Sequence, residues 1–146
     1  MSKKSKTRQD LSKARQRIAN KAAFIPELEK AFDDDDSVAY SFNHLQKKYD
    51  LDNKSLSNEA KIQLLAKIVK TTQQSWTQLI LSGKGNGGIE TIKRDIISNL
   101  PSCVTKDIQK LCVLRFASQK CRLIGFRRGN IFNVLYIDSN LSLYKH

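Results

Sequence analysis

The chain has 146 residues, about 40% of them apolar, with a formal net charge of +12 and a pI near 9.8. That length and apolar content suit one modest core with an added tail and exclude two full domains. No window approaches the roughly 18 apolar residues of a membrane span, and the lysine-rich start lacks the apolar stretch of a secretory signal; a cytoplasmic protein with an acidic or nucleic-acid partner and no membrane is expected.

Residues 2–21 carry Lys3, Lys4, Lys6, Arg8, Lys13, Arg15, Arg17 and Lys21 against one acid, Asp10, which makes a basic arm. Leu11, Ile18, Ile25 and Phe32 fall at heptad spacing, but Pro26 interrupts a continuous helix, so a helical or disordered arm is expected. Asp33, Asp34, Asp35 and Asp36 repel one another and mark a linker. The division is therefore an arm and linker over residues 1–36 and a folded domain over residues 37–146.

Val38, Tyr40 and Phe42 alternate with small or polar residues, which predicts a first strand within residues 38–45. Ser57 is placed to cap a helix whose Ile62, Leu65, Ile68 and Val69 form an apolar stripe, with Glu59 in its first turn. Thr72 is placed to cap a second helix carrying Trp76, Leu79 and Ile80, closed by Gly83, with Trp76 read as a core residue. Ile89, Ile92 and Ile96 suggest a third short helix before Pro101. Residues 111–117, 120–128 and 131–138 then read as strands separated by Ser118-Gln119 and Gly129-Asn130. Leu141, Leu143 and Tyr144 leave a short fourth strand open, so the expected class is α+β: a strand, two or three helices, then a three- to four-stranded antiparallel meander.

Cys103, Cys112 and Cys121 lack paired CxxC spacing, and the last two fall inside predicted strands as buried thiols. With only His44 and His146 besides, no metal is expected. Lys84, within Gly83 to Gly88, is not followed by the Ser or Thr of a Walker loop, and no other cofactor is expected.

If Ser118-Gln119 is a two-residue hairpin loop, Ala117 pairs with Lys120 and Arg115 lies opposite Arg122. Counting around Gly129-Asn130 sets Phe126 opposite Asn133, so Asn133 shares the arginine face while Arg127 points the other way. The opposite face collects Cys112, Leu114, Phe116, Cys121, Leu123, Phe132, Val134 and Tyr136 for packing under helices, and leaves the arginines to solvent. Two like charges in register are easiest to understand with a phosphate between them; the alternative is that they pair with Asp107 and Asp138. Arg115 and Arg122 are thus candidates for stabilising a crowded phosphate, and Tyr144 and His146 for moving protons. Lys84, Lys93, Arg94, Lys120, Arg127, Arg128, Asn133 and Lys145 are candidates for RNA binding, though Lys93 and Arg94 equally fit the solvated side of a helix.

The order of elements, Arg122-Leu123-Ile124-Gly125-Phe126, and the apolar strand Ile131 to Asp138 followed by Tyr144 together resemble the RelE/ParE-like toxin superfamily over residues 37–146. The resemblance implies a compact toxin paired with an acidic antitoxin protein. RelE-type members cleave mRNA on the ribosome without metal, and ParE-type members act on gyrase. Carried over by position, Arg122 matches the family's strand arginine, Tyr144 its late tyrosine and Lys84, loosely, its lysines before the sheet. The basic arm, the acidic linker and the lack of a lysine cluster depart from the family pattern. A metal-independent endoribonuclease, a noncatalytic nucleic-acid-binding module and a protein-docking relative are the functions this leaves in contention.

Overall fold

The structure, a computed structural model, describes Lys13 and residues 36–145. The rest of the expected arm, the aspartate run up to Asp35, and His146 lie outside the described residues. The elements are β1 (Ala39–Ser41), α1 (Asn58–Thr71), α2 (Trp76–Ser82), β2 (Ile89–Lys93), β3 (Lys110–Phe116), β4 (Cys121–Arg128) and β5 (Ile131–Asp138), with 3-10 turns at Lys84–Asn86 and Arg94–Ile96. They form an α+β fold with one five-stranded mixed sheet in the order β1-β5-β4-β3-β2. β1 runs parallel to β5 and every other pairing is antiparallel.

Local chemistry sets the helices. The Ser57 side chain accepts the Ala60 N–H to start α1, with Glu59 in the first turn. α2 starts one turn later than Thr72 predicts: Thr72 closes α1, and Ser75 starts α2 through a capping box with Gln78. Trp76 is buried, stacks on Phe132 at 6.2 Å and donates from Nε1 to the Asn130 carbonyl at 2.9 Å. The glycine-rich segment is a tight turn: a Cβ on Gly88 would lie 2.2 Å from the Leu79 carbonyl oxygen.

Two expectations fail here. The third helix is the edge strand β2, paired along its length with β3 from Ile89↔Leu114 to Lys93↔Lys110. Its isoleucines sit at helical intervals, yet Ile89 packs with the helix-side core and Ile92 with the other, as alternation across a strand requires. The first strand keeps only three residues, because a turn at Leu45 N to Phe42 O ends it.

The apolar face packs under the helices as expected, with Leu114, Phe116, Leu123, Phe132 and Val134 against Ala60, Leu64, Trp76 and Leu79. Tyr136 is the exception. A bulge between Ile124 and Gly125 shifts the register so that Ile124 faces Tyr136 while Gly125 faces Val134, which turns Tyr136 to the opposite side. Gly125 is what permits this close approach, since a Cβ there would lie 1.9 Å from the Asn133 carbonyl oxygen.

The arginine face, expected to meet solvent, is covered by a second core. Ile97, Val104, Ile108 and Tyr144 lie against Leu111, Val113, Ile124, Phe126 and Leu135. Arg94 holds the covering loop by donating to the carbonyls of Thr105 at 2.7 Å and Ile108 at 2.8 Å. Cys112 and Cys121 are buried free thiols, as expected, and Cys103 is half-buried. No described helix is long and apolar enough to cross a membrane.

Candidate functional site

Arg115 and Arg122 are directly opposite in the β3–β4 register, as the hairpin count predicts. What surrounds them differs from the expectation. Arg122 is wholly buried, and its Nε and Nη2 donate to one Asp138 oxygen at 3.2 and 2.6 Å. Asp138 is its register partner on β5, and Arg115 donates from Nε to Glu90 of β2 at 3.2 Å. Four neighbouring strands therefore present acid, base, base, acid in sequence, so carboxylates of the chain itself hold the two cations together where a bound phosphate was expected.

Tyr144 closes this ladder from above. Its ring lies 3.8 Å from the Arg122 guanidinium carbon, and Asp138 anchors the segment leading to it by accepting the Ser142 N–H at 3.1 Å. Burial pushes the phenol above its ordinary range, with Arg122 opposing that shift. A phenol raised in this way keeps its proton at neutral pH and is suited to donating one, not accepting one.

Beside the ladder lies a cleft of about 360 Å³, bounded by α1, the glycine-rich turn and the tip of the β3–β4 hairpin. Lys67, Lys70, Lys84 and Arg115 line it. Lys67 donates to the Gly87 carbonyl at 2.8 Å, and its pKa is lowered first by burial and then by Lys70. Glu90 lies 3.1 Å from Arg115 and 4.0 Å from Lys84 and forms ion pairs with both. The far wall is Ala117, Ser118 and Gln119, all with positive φ (52°, 53° and 67°). Clustered cations beside an unusual backbone turn suit an anionic ligand with more than one charge.

The remaining candidates scatter. Lys84 belongs to the cleft, and Lys120 is exposed at the hairpin tip. Arg94 is a structural clamp. Arg127 lies on the helix side, as counted, with its guanidinium 4.5 Å from the Trp76 ring, and donates to the Gly129 carbonyl at 2.7 Å. Arg128 donates to the Thr105 hydroxyl at 3.1 Å near Asp107. Asn133 faces Phe126 across β4–β5, and its side chain reaches the Phe126 carbonyl at 3.5 Å. Lys93 and Lys145 are exposed away from the cleft lining.

Lys67 and Lys70 are the functional candidates that the sequence reading passes over. Their signal was present: with Gln63 they recur at i, i+4 and i+7 on the polar side of α1. Comparison of the chain with protein-family models, with curated proteins and with solved structures gave no match.

Proposed function

We propose that residues 37–146 form a RelE/ParE-like domain that binds RNA, with the cleft lined by Lys67, Lys70, Lys84 and Arg115 taking the phosphate backbone. The observation that carries this reading is the gathering of four cations in the lining of one cleft, two of which, Lys84 and Arg115, pair with Glu90. The element order, a strand and two helices ahead of an antiparallel β2–β3–β4–β5 meander, supports the family likeness. A ribosome as the RNA-bearing target and an acidic antitoxin as a protein partner follow from that likeness.

Metal-independent cleavage is the second reading, and one observation favours it: Arg115, Arg122 and Tyr144 are gathered in one place. In such a reaction the 2′-hydroxyl attacks its own phosphate and loses its proton to water, Arg115 stabilises the crowded oxygens, and the 5′-oxygen leaves with a proton from Tyr144, which water then reprotonates. Arg122, beneath Tyr144 and bonded to Asp138, then positions Tyr144 and does not touch substrate.

The test is binding and cleavage of RNA in EDTA, with and without translating ribosomes, for the wild type, Arg115→Ala and Lys67→Ala. Binding that both substitutions weaken, with RNA left intact, supports the binding reading. Cleavage that Arg115→Ala abolishes while affinity falls modestly establishes the enzyme. Absence of RNA binding in both settings refutes both readings.

A further inference from the structure

Lys67 is held differently from the two other lysines of the cleft. Lys70 and Lys84 are exposed, whereas Lys67 is half-buried between α1 and the glycine-rich turn, where its Nζ donates to the Gly87 carbonyl at 2.8 Å. The turn leaves room for it: Gly87 has a left-handed backbone, φ 77°, and a Cβ there would lie 3.0 Å from that nitrogen. Glu90 pairs with Lys84 and Arg115, while the partner of Lys67 is a carbonyl dipole. A dipole steadies an ammonium less than a carboxylate does, and burial followed by Lys70 moves the Lys67 pKa down. Desolvation beside a second cation is how a lysine becomes a nucleophile, and an amine with one N–H on Gly87 keeps its lone pair for an electrophile.

The remaining cations select that electrophile. Lys70, Lys84 and Arg115 line the same cleft of about 360 Å³, and walls of one sign raise the local concentration of a matching anion by roughly 10–10³. An uncharged ester or aldehyde gains nothing from them, and inorganic phosphate offers an amine no acyl carbon. An acyl phosphate has both parts, a phosphate for the cations and, one oxygen away, an activated carbonyl for the amine.

We infer that Lys67 is a modification site, acylated by a small acyl phosphate that the cleft cations hold. The Lys67 ammonium first gives one proton to water. The amine then attacks the acyl carbon, the bond from that carbon to the phosphate oxygen breaks, and its electron pair leaves with the phosphate. The phosphate takes the second proton from the nitrogen and departs as hydrogenphosphate, leaving a neutral amide, with nothing oxidised or reduced. The consequence rests on the RNA-binding reading: the amide removes one of four cations from the cleft and so weakens RNA binding, as Lys67→Ala does. The modification itself is read by mass without RNA, so the failure of either leaves the other standing.

The test incubates the full chain with acetyl phosphate and follows each lysine over time by peptide mass spectrometry. Lys61 is the matched control, half-buried on the same helix but in a groove whose other lining residues are apolar, and Lys93 is an exposed control outside the cleft lining. Lys67 is acetylated faster than either by about tenfold. With acetic anhydride, an uncharged donor, that preference narrows by about threefold or more, because the cations no longer concentrate the reagent. Lys84→Gln, at an exposed position, slows acetylation of Lys67 by acetyl phosphate about threefold and leaves its rate with acetic anhydride unchanged; an unchanged urea midpoint verifies folding. Inorganic phosphate in excess protects Lys67 from acetyl phosphate. A Lys67 no faster than Lys61 and Lys93, the same preference with both donors, a Lys84→Gln chain modified at the wild-type rate, or no protection by phosphate would each overturn the inference.

Discussion

Arg122 shows how one side chain changes meaning between sequence and structure. Counting places it opposite Arg115, and the count is correct; what counting lacks is the third dimension, in which residues 94–108 and Tyr144 cover the face. Asp138, five residues before a leucine-and-tyrosine end, was legible as a partner but not as a buried one. Removing either member leaves an uncompensated buried charge, so Arg122→Ala and Asp138→Ala are each expected to cost about 3–5 kcal/mol in urea unfolding. Replacing both, by Met and Leu, should cost less than either single change; additive losses would mean that the two charges do not act as a pair. A half-buried phenol and a buried thiol set the alkaline limit. Burial pushes the Tyr40 phenol up to about 12 from 10.0, and the Cys112 thiol up to about 11 from 9.0. The unfolded chain releases both protons earlier, so it binds fewer protons than the fold above pH 9 and stability falls as pH rises towards 12. The urea midpoint should hold between pH 7 and about 9 and then decline, and Tyr40→Phe should flatten the part of the decline above about pH 10.

Elements were readable where end signals and periodicity agreed. Ser57 and Glu59 announced α1, and the turns at Ser118-Gln119 and Gly129-Asn130 announced the meander. β2 was misread because isoleucine at i and i+3, Ile89 and Ile92, fits one stripe of a helix and also the two opposite faces of an edge strand, while Ile96 lies beyond the strand in a 3-10 turn. The apolar stripe of α1 was legible, but Ile62, Leu65 and Val69 on it are exposed, because hydrophobicity says which side avoids water, not which neighbour covers it. The hairpin tip carries a different lesson. Lys120 N–H closes the turn on the Ala117 carbonyl at 3.1 Å, and both central residues have positive φ without glycine or asparagine at either position. Left-handed backbone costs ordinary residues roughly 1–2 kcal/mol each, so Ser118→Asn with Gln119→Gly is expected to stabilise the fold by about 1–2 kcal/mol. A raised urea midpoint together with weaker RNA binding would tie the strained tip to the cleft it lines; an unchanged or lowered midpoint would show that the tip stores no strain.

For the whole molecule, charge was the property most legible from the start and the least specific. A net +12 says that an anion is sought, but not where, and the candidates it nominated divide between the cleft, a structural clamp on residues 104–108, and contacts with Trp76 and Phe126. The fold makes the selection by curling the glycine-rich turn and the hairpin tip towards the polar side of α1, which brings Lys67 and Lys70, Lys84, and Arg115 from three distant stretches of chain to one cleft. That selection has a measurable consequence. Each phosphate neutralised by a cleft cation releases counterions, so log K for single-stranded RNA should fall with log salt at a slope of about −0.7 per contact, near −3 for all four. Lys70→Ala should shallow the slope by about 0.7 and weaken binding for all RNA sequences alike. Lys93→Ala, a cation outside the cleft lining, should leave the slope unchanged. If Lys93→Ala and Lys70→Ala shift it equally, the attraction belongs to the general surface charge and the cleft has no special part in it.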